Sequence, residues 1–314
     1  MELNTLGIVL SYHRKKEGLP LESVCDGLCS AATLERIERG ERIADSLLGK
    51  LLLERLGQDV TQFELILNDE DYMLWRMRED IQSAAKLKDY DLLCAIIADY
   101  REMQKNYDRL HEQFCLYHEV MMEIEIGKDN RKICELAIRA LRITKSNSGI
   151  GIKETKPLYT QMEIGLTLTL IRFGHEDYIN EAENELLRLL TYVEYFYTER
   201  KKEEVGMTII MELVKSEQKR LNYDKAIEYL DKGISLLSQG RGIKELEKLH
   251  FLKAQMLMNT YVGSDSQTEK KQEIQKECLM SYCICEVMGM EEEMQEIERF
   301  CEEKLAWQIT GLEM

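Results

Sequence analysis

Apolar positions recur at helical spacing along the whole chain. Leu6, Val9, Leu10 and His13 fall at i, i+3, i+4 and i+7, one face of a first helix running from about Leu3 to Lys16. Gly18 stops it, and Pro20 suits the first position of a short second helix from about Leu21 to Asp26, with Val24 and Leu28 turned inward. Gly27 makes a tight turn, and the Ser30 hydroxyl is placed to cap the next helix. Leu34 and Ile37 anchor that third helix, which leaves Ala31, Ala32, Thr33, Glu35, Arg36 and Arg39 near or on its outer face. Gly40 ends it. Leu47, Leu48, Leu51, Leu52 and Leu56 then make a fourth helix, closed by Gly57. A short helix, a tight turn and a second helix form the layout of a helix-turn-helix, whose second helix enters the major groove of DNA.

Beyond Gly57, QDVTQFELILNDEDYMLWRMREDI predicts a connecting helix and the start of a larger core at Leu74, Trp75 and Met77. Long amphipathic helices then alternate with polar breaks. Four breaks are alike: KDYDLLCAI at 88, GKDNRKICEL at 127, GHEDYINEAENEL at 174 and LNYDKAIEYLDKGI at 221. Their spacing of roughly 40–50 residues is near the period of helical-hairpin solenoids. Loops are expected at 146–157, 238–242 and 263–271, and MSYCICEVMGMEEEMQEIERFCEEKLAW is expected to cap the end as a hairpin. The chain thus predicts an all-α protein: residues 1–67 a helix-turn-helix with a linker helix, residues 68–314 a repeat domain for sensing and dimerisation.

The stretch RKKEGLPLESVCDGLCSAATLERIERGER, followed by LLLERLG, resembles the helix-turn-helix of the Cro/CI (XRE-type, lambda-repressor-like) family. It is similar in particular to the version in the Gram-positive RRNPP peptide-pheromone receptors, which read G-[IL]-C-S, two variable residues, an apolar pair, then I-E-x-G; Gly27 to Ser30 and Ile37 to Gly40 match. The resemblance implies an internal ion pair between Arg14 and Glu38, structural in role. The chain departs from the pattern at Leu21, Ala31 and Glu35, where the family commonly has Gln, a polar residue and Ser. Leu221 to Ile234 resembles a tetratricopeptide (TPR) repeat, with Tyr223 and Ala226 where that motif packs its two helices.

Charge changes the picture. The 314 residues carry a net charge of −16, yet residues 1–57 hold eight Lys/Arg against nine Asp/Glu. A body this acidic repels DNA phosphates, so DNA would meet only the near-neutral N-terminal segment. The expected DNA-contacting residues are Ser30, Ala31, Ala32, Thr33, Arg36, Arg39, Arg42 and Lys50, with Arg36 as the base reader. A concave repeat surface is expected to bind a peptide through Gln113, Tyr117, Glu163, Thr167, Gln218, Gln255 and Asn259, since side-chain amides can pair with a peptide backbone.

Nine irregularly spaced cysteines do not form a disulfide framework. His111, Cys115 and His118 share one helix face and Cys278, Cys283 and Cys285 cluster, but neither group supplies a fourth zinc ligand nearby, so packing is the expectation and no cofactor or metal. No phosphate-loop, zinc-protease or nucleophile-elbow motif is present, which argues against an enzyme. No apolar run approaches the roughly 20 residues of a membrane helix, and no secretory signal pattern opens the chain. The expectation is a cytoplasmic, dimeric, peptide-responsive transcription regulator bound to a double-stranded operator, with no membrane contact. The alternative is a helical-repeat adaptor or antagonist whose helix-turn-helix no longer reads DNA.

Overall fold

A computed structural model describes residues 5–58, 69–103, 108–127, 129–145, 158–174, 179–197, 199–239, 245–261 and 267–309. The described residues form fifteen α-helices and no strand. The first four are α1 (Thr5–Lys16), α2 (Leu21–Cys25), α3 (Ala31–Glu38) and α4 (Ser46–Arg55). Leu10, Val24, Leu34, Ile37, Leu51 and Leu52 close their core. Pro20 sits one position earlier than expected, as the residue preceding α2 with extended backbone. Asp45 caps α4 by accepting from the Leu48 amide at 2.9 Å.

The repeats follow as α5 (Asp69–Leu87), α6 (Tyr90–Met103), α7 (Arg109–Ile126), α8 (Asn130–Thr144), α9 (Gln161–Phe173), α10 (Ile179–Phe196), α11 (Glu199–Lys219), α12 (Tyr223–Gln239), α13 (Leu246–Tyr261), α14 (Gln267–Met288) and α15 (Glu291–Leu305). Each of the four similar polar breaks falls inside one helical hairpin: α5/α6 at Lys88, α7/α8 at Gly127, α9/α10 at Gly174 and α11/α12 at Leu221. Lys88, Gly127 and Leu221 all turn through the left-handed region that ends helices. The expected loop at 263–271 is shorter than its charge suggested, because residues from Gln267 onward already belong to α14. The expected connecting helix at 59–67 and the loop at 146–157 lie outside the described residues.

The chain divides into two compact units, 1–196 and 197–314. In the first, the core does not break after α4. Leu47, Leu53 and Leu56 share one apolar cluster with Leu74, Ile81, Leu93, Ile97, Tyr100, Leu110, Phe114 and Met162. The first four helices are therefore packed on the early repeats rather than tethered beside them.

In the second unit α11 to α15 pack in sequence, neighbour on neighbour. Ala226 is fully buried, as the TPR resemblance implies. His250, Lys253 and Glu277 form a buried ionic group that reaches Asp231: Glu277 accepts from His250 Nδ1 at 2.5 Å and Lys253 Nζ at 3.0 Å. Tyr282, Cys285, Ile297, Cys301 and Leu305 close the terminal α14–α15 hairpin.

Candidate nucleic-acid interface

The α3 helix is aimed by its two ends. At its start the Ser30 hydroxyl accepts from the Thr33 amide at 3.1 Å and pairs with the Thr33 hydroxyl at 2.9 Å. At its end Glu38 takes both arms of a fork from α1: Arg14 Nε and Nη2 donate to its two carboxylate oxygens at 2.6 and 2.7 Å. Arg14 also donates to the Leu19 carbonyl at 3.0 Å, which fixes the α1–α2 corner. Both side chains are largely buried, 13% and 8% exposed.

Ser30, Ala32, Arg36 and Arg39 are exposed on the outer face, and Ala31, Thr33 and Glu35 are half-buried. Past α3 the Glu41 and Arg42 amides fold back onto the Arg36 carbonyl at 2.8 and 3.2 Å, which leaves Arg42 and Ile43 in solvent. Among the described residues Arg36 has no ion-pair partner. Arg39, by contrast, is paired with Glu35 at 2.5 Å. Lys50 differs from the expectation. It is half-buried, and its charge bears on the buried His118 of α7, so it belongs to the side of α4 that meets the repeats.

The expected peptide-contacting residues divide. Gln113 is fully buried and donates to the Ala140 carbonyl at 3.1 Å and the Thr144 hydroxyl at 2.7 Å, joining α7 to α8. Glu163 is fully buried as well; it completes a capping box with Thr160 and pairs with Arg55. Thr167 is 6% exposed. All three face the protein interior: Gln113 and Glu163 join helices, and the Thr167 hydroxyl is buried without a hydrogen-bond partner among the described residues. Tyr117 is half-buried and lies 3.0 Å from where a Cβ on Gly165 would stand, so the missing side chain lets α7 and α9 approach. In the second unit Gln218 is half-buried against Met256, Gln255 is half-buried, and Asn259 is exposed and bonded to the Gln255 carbonyl at 3.0 Å.

His111 and His118 are likewise interior. His111 is hydrogen-bonded to Tyr100, and burial together with the neighbouring Arg78 cation holds its pKa below the ordinary histidine value. Burial and the nearby Lys50 charge push His118 down to about 4.

Sequence reasoning missed the seam between the first four helices and the helices that follow. Arg55 is inside the protein, 4% exposed, and meets Glu163 at 3.0 Å, while its other arm donates to the Val24 and Asp26 carbonyls at the end of α2. Glu54 accepts from the Gln161 amide at 3.1 Å, and the Tyr192 hydroxyl donates to the Glu54 carbonyl at 2.8 Å. Gly27 and Gly57 take positive φ, +67° and +68°. A Cβ at these positions would stand 1.7 Å from the Thr144 carbonyl oxygen and 1.9 Å from the Phe196 carbonyl oxygen. A second polar seam links Ser46, Asp71, Arg78, Tyr100 and His111, all buried. One signal was readable: Thr160-Gln161-Met162-Glu163 is a capping-box spelling, which predicts Glu163 at a helix start rather than on a groove wall.

No protein-family model matches the sequence, and no curated protein matches it. Among solved structures, the chain is similar to Bacillus thuringiensis PlcR in complex with the peptide PapR7 and DNA, at 13% identity over 94% of this chain and 99% of that one, with a TM-score of 0.45. It is similar to the apo form of the competence regulator ComR from Streptococcus vestibularis, at 13% identity over 96% and 98% of the two chains, with a TM-score of 0.46. It is also similar to ComR from S. thermophilus in complex with DNA and its signalling peptide ComS, at 15% identity, 96% and 99% coverage and a TM-score of 0.37. The fold described above rests on this chain's own helices.

Proposed function

We propose that the protein is a DNA-binding transcription regulator, with residues 1–67 as its reader and residues 68–314 as a sensor that binds a short signalling peptide and holds two copies together. The observation that carries the reading is the face of α3. A capped helix, fixed at both ends, presents Arg36 to solvent beside the small residues Ala31 and Ala32, with no protein partner for its guanidinium among the described residues. Arg36 is the base reader, and Arg39, Arg42 and the exposed Ser30 end of the helix meet phosphates. Peptide sensing is supported by the stacked hairpins, a scaffold whose exposed helix faces suit extended ligands. Gln218, Gln255 and Asn259 remain the candidate contacts within the second unit; in the first unit Tyr117 packs against Gly165, and Gln113, Glu163 and Thr167 are interior. Such a regulator works in the cytoplasm. No described helix is long and apolar enough to cross a membrane, and the reading assigns no catalytic step.

The second reading, a protein-binding adaptor, is favoured by one feature: Glu35 engages Arg39 and puts a carboxylate beside the reading face. The deciding experiment is fluorescence anisotropy with the DNA upstream of the protein's own gene, against a scrambled fragment, over a salt series. The proposed function expects tighter binding to the upstream fragment. Equal or absent binding to both at low salt leaves the adaptor reading.

A further inference from the structure

The acidic body contains a basic helix, and that helix ends against the helix-turn-helix. Residues 130–145 carry five Lys/Arg against one Glu, in a chain of net charge −16. They form α8 and the residue after it. Ile133, Ala137, Ala140 and Leu141 bury one face of α8. The opposite face shows Arg131, Glu135, Arg139 and Arg142 to solvent, at i, i+4, i+8 and i+11. Ion pairs divide this face. Arg131 is held by Glu135 and Arg139 by Glu112, each at 3.0 Å. Arg142 has no ion-pair partner among the described residues. Neither has Arg109, exposed at the start of α7, whose guanidinium reaches the Ile143 carbonyl at 3.5 Å. The carboxylate beside it, Asp108, is turned back to cap α7 and accepts from the Leu110 amide at 2.9 Å. Two guanidiniums without carboxylate partners thus gather at the C-terminal end of α8.

That end of α8 is where it meets the turn between α2 and α3. Thr144, its last residue, lies so near Gly27 that a Cβ there would stand 1.7 Å from the Thr144 carbonyl oxygen. Gly27 follows α2 and precedes Ser30, the cap of α3. When a helix-turn-helix docks, its second helix enters the major groove while its first crosses the phosphate backbone. The anion nearest to the end of α8 is then the backbone beside α2. We propose that Arg109 and Arg142 form a second DNA contact, to phosphates flanking the bases that α3 reads. The proposal rests on the DNA-binding function proposed above and extends its surface into the helices after α4. Asp26, exposed next to Gly27, opposes it with one charge against two. The contact is to charge alone, so it adds affinity for any sequence and no preference among sequences. Each phosphate that a cation neutralises releases counterions and steepens the fall of affinity with salt, by about 0.9 in the logarithmic slope. The net charge of the body therefore misjudges this edge: the repulsion it implies is relieved where α8 adjoins the helix-turn-helix.

The test uses the full chain, with anisotropy over a salt series on two DNAs. One is the upstream fragment; the other is the same fragment trimmed to the bases whose substitution changes affinity. On the long fragment, Arg109→Ala with Arg142→Ala is expected to reduce the salt slope by about two and to weaken binding roughly tenfold at low salt, with the preference over scrambled DNA unchanged. On the trimmed fragment the double variant should match the wild type. Replacing both residues with Lys should keep the slope, because the charge stays. Arg131→Ala, about 16 Å away along α8, should leave it unchanged. Both sites are exposed, so the urea midpoint of the double variant should equal that of the wild type. A double variant with the wild-type slope on the long fragment overturns the proposal. So does an equal loss on both fragments, or a loss that the Lys variants share. In each of those cases the wild type still binds, and the proposed function stands. A wild type that binds neither fragment overturns the proposed function, and the second contact with it.

Discussion

Arg55 and Glu163, 108 positions apart, meet inside the protein at 3.0 Å with side chains 4% and 1% exposed. Burying such a pair gains little in itself, because both ions lose their water. Removing one partner is another matter. Arg55→Ala leaves a buried carboxylate and two α2 carbonyls without their donor, and is expected to cost about 3–5 kcal/mol. Glu163→Gln should cost less, since an amide oxygen still accepts from the guanidinium. The change in the urea midpoint of each variant checks this; a shift below one kilocalorie for Arg55→Ala would show that the seam relaxes freely.

Gly27 and Gly18 separate backbone strain from crowding. Both have positive φ, but nothing lies within 4 Å of a Cβ at Gly18, whereas one at Gly27 meets the Thr144 carbonyl. Gly18→Ala should cost about 1–2 kcal/mol, the left-handed penalty alone. Gly27→Ala should cost clearly more, because α2 must back away from the end of α8. Equal losses in thermal or urea unfolding would mean that the contact yields without resistance.

Stability should fall in mild acid through His118. Its folded pKa of about 4 lies below the ordinary value of 6.5, so the unfolded chain takes up the proton first. The contribution is complete above about pH 6.5, shrinks as pH falls, and is spent by about pH 4. It is worth about 3 kcal/mol at most. His111, also depressed, acts in the same direction. Urea unfolding at pH 7.5 and pH 5 should show the drop, and His118→Phe should flatten it. A wild-type protein equally stable at both pH values would refute the assignment.

On the DNA side, Arg36→Ala should cost about 1–3 kcal/mol on the upstream fragment and relax preference at one base pair. Arg42→Ala should weaken all fragments alike and reduce the salt slope by about one. Lys50→Ala, on the other side of α4, should leave the salt slope unchanged. If Arg36→Ala weakens specific and scrambled DNA equally, Arg36 is a phosphate contact and another residue reads the bases.

The sequence carries its local rules openly. Ser30 as a cap, glycines at helix ends and apolar faces at 3.6-residue spacing depend on neighbours within a turn or two, and α3 and its exposed arginine follow from them. The four polar breaks locate the hairpin turns for the same reason. Gln113 and Glu163 show where this ends. Each is a polar residue on an amphipathic helix, and nothing local distinguishes one that faces solvent from one buried against a helix that arrives later. Gln113 is decided by Thr144 and Glu163 by Arg55, partners 31 and 108 positions away. Arg55 was hidden likewise: at the end of a leucine-rich helix it reads as a surface charge until α9 covers it.

The shared core of the first unit also sets an order of events during synthesis. The ribosome adds about 5–20 residues per second, so Arg55 exists for roughly 5–20 s before Glu163 is made. Phe114 reaches the leucines of α4 only about halfway through that interval and Met162 only at its end, and until then the guanidinium among them lacks its counter-ion. The N-terminal segment is the first to be translated and among the last of the first unit to be completed. Nascent chains that stall before α9 therefore display an apolar, unfinished N-terminal segment, the form most exposed to chaperones and proteases.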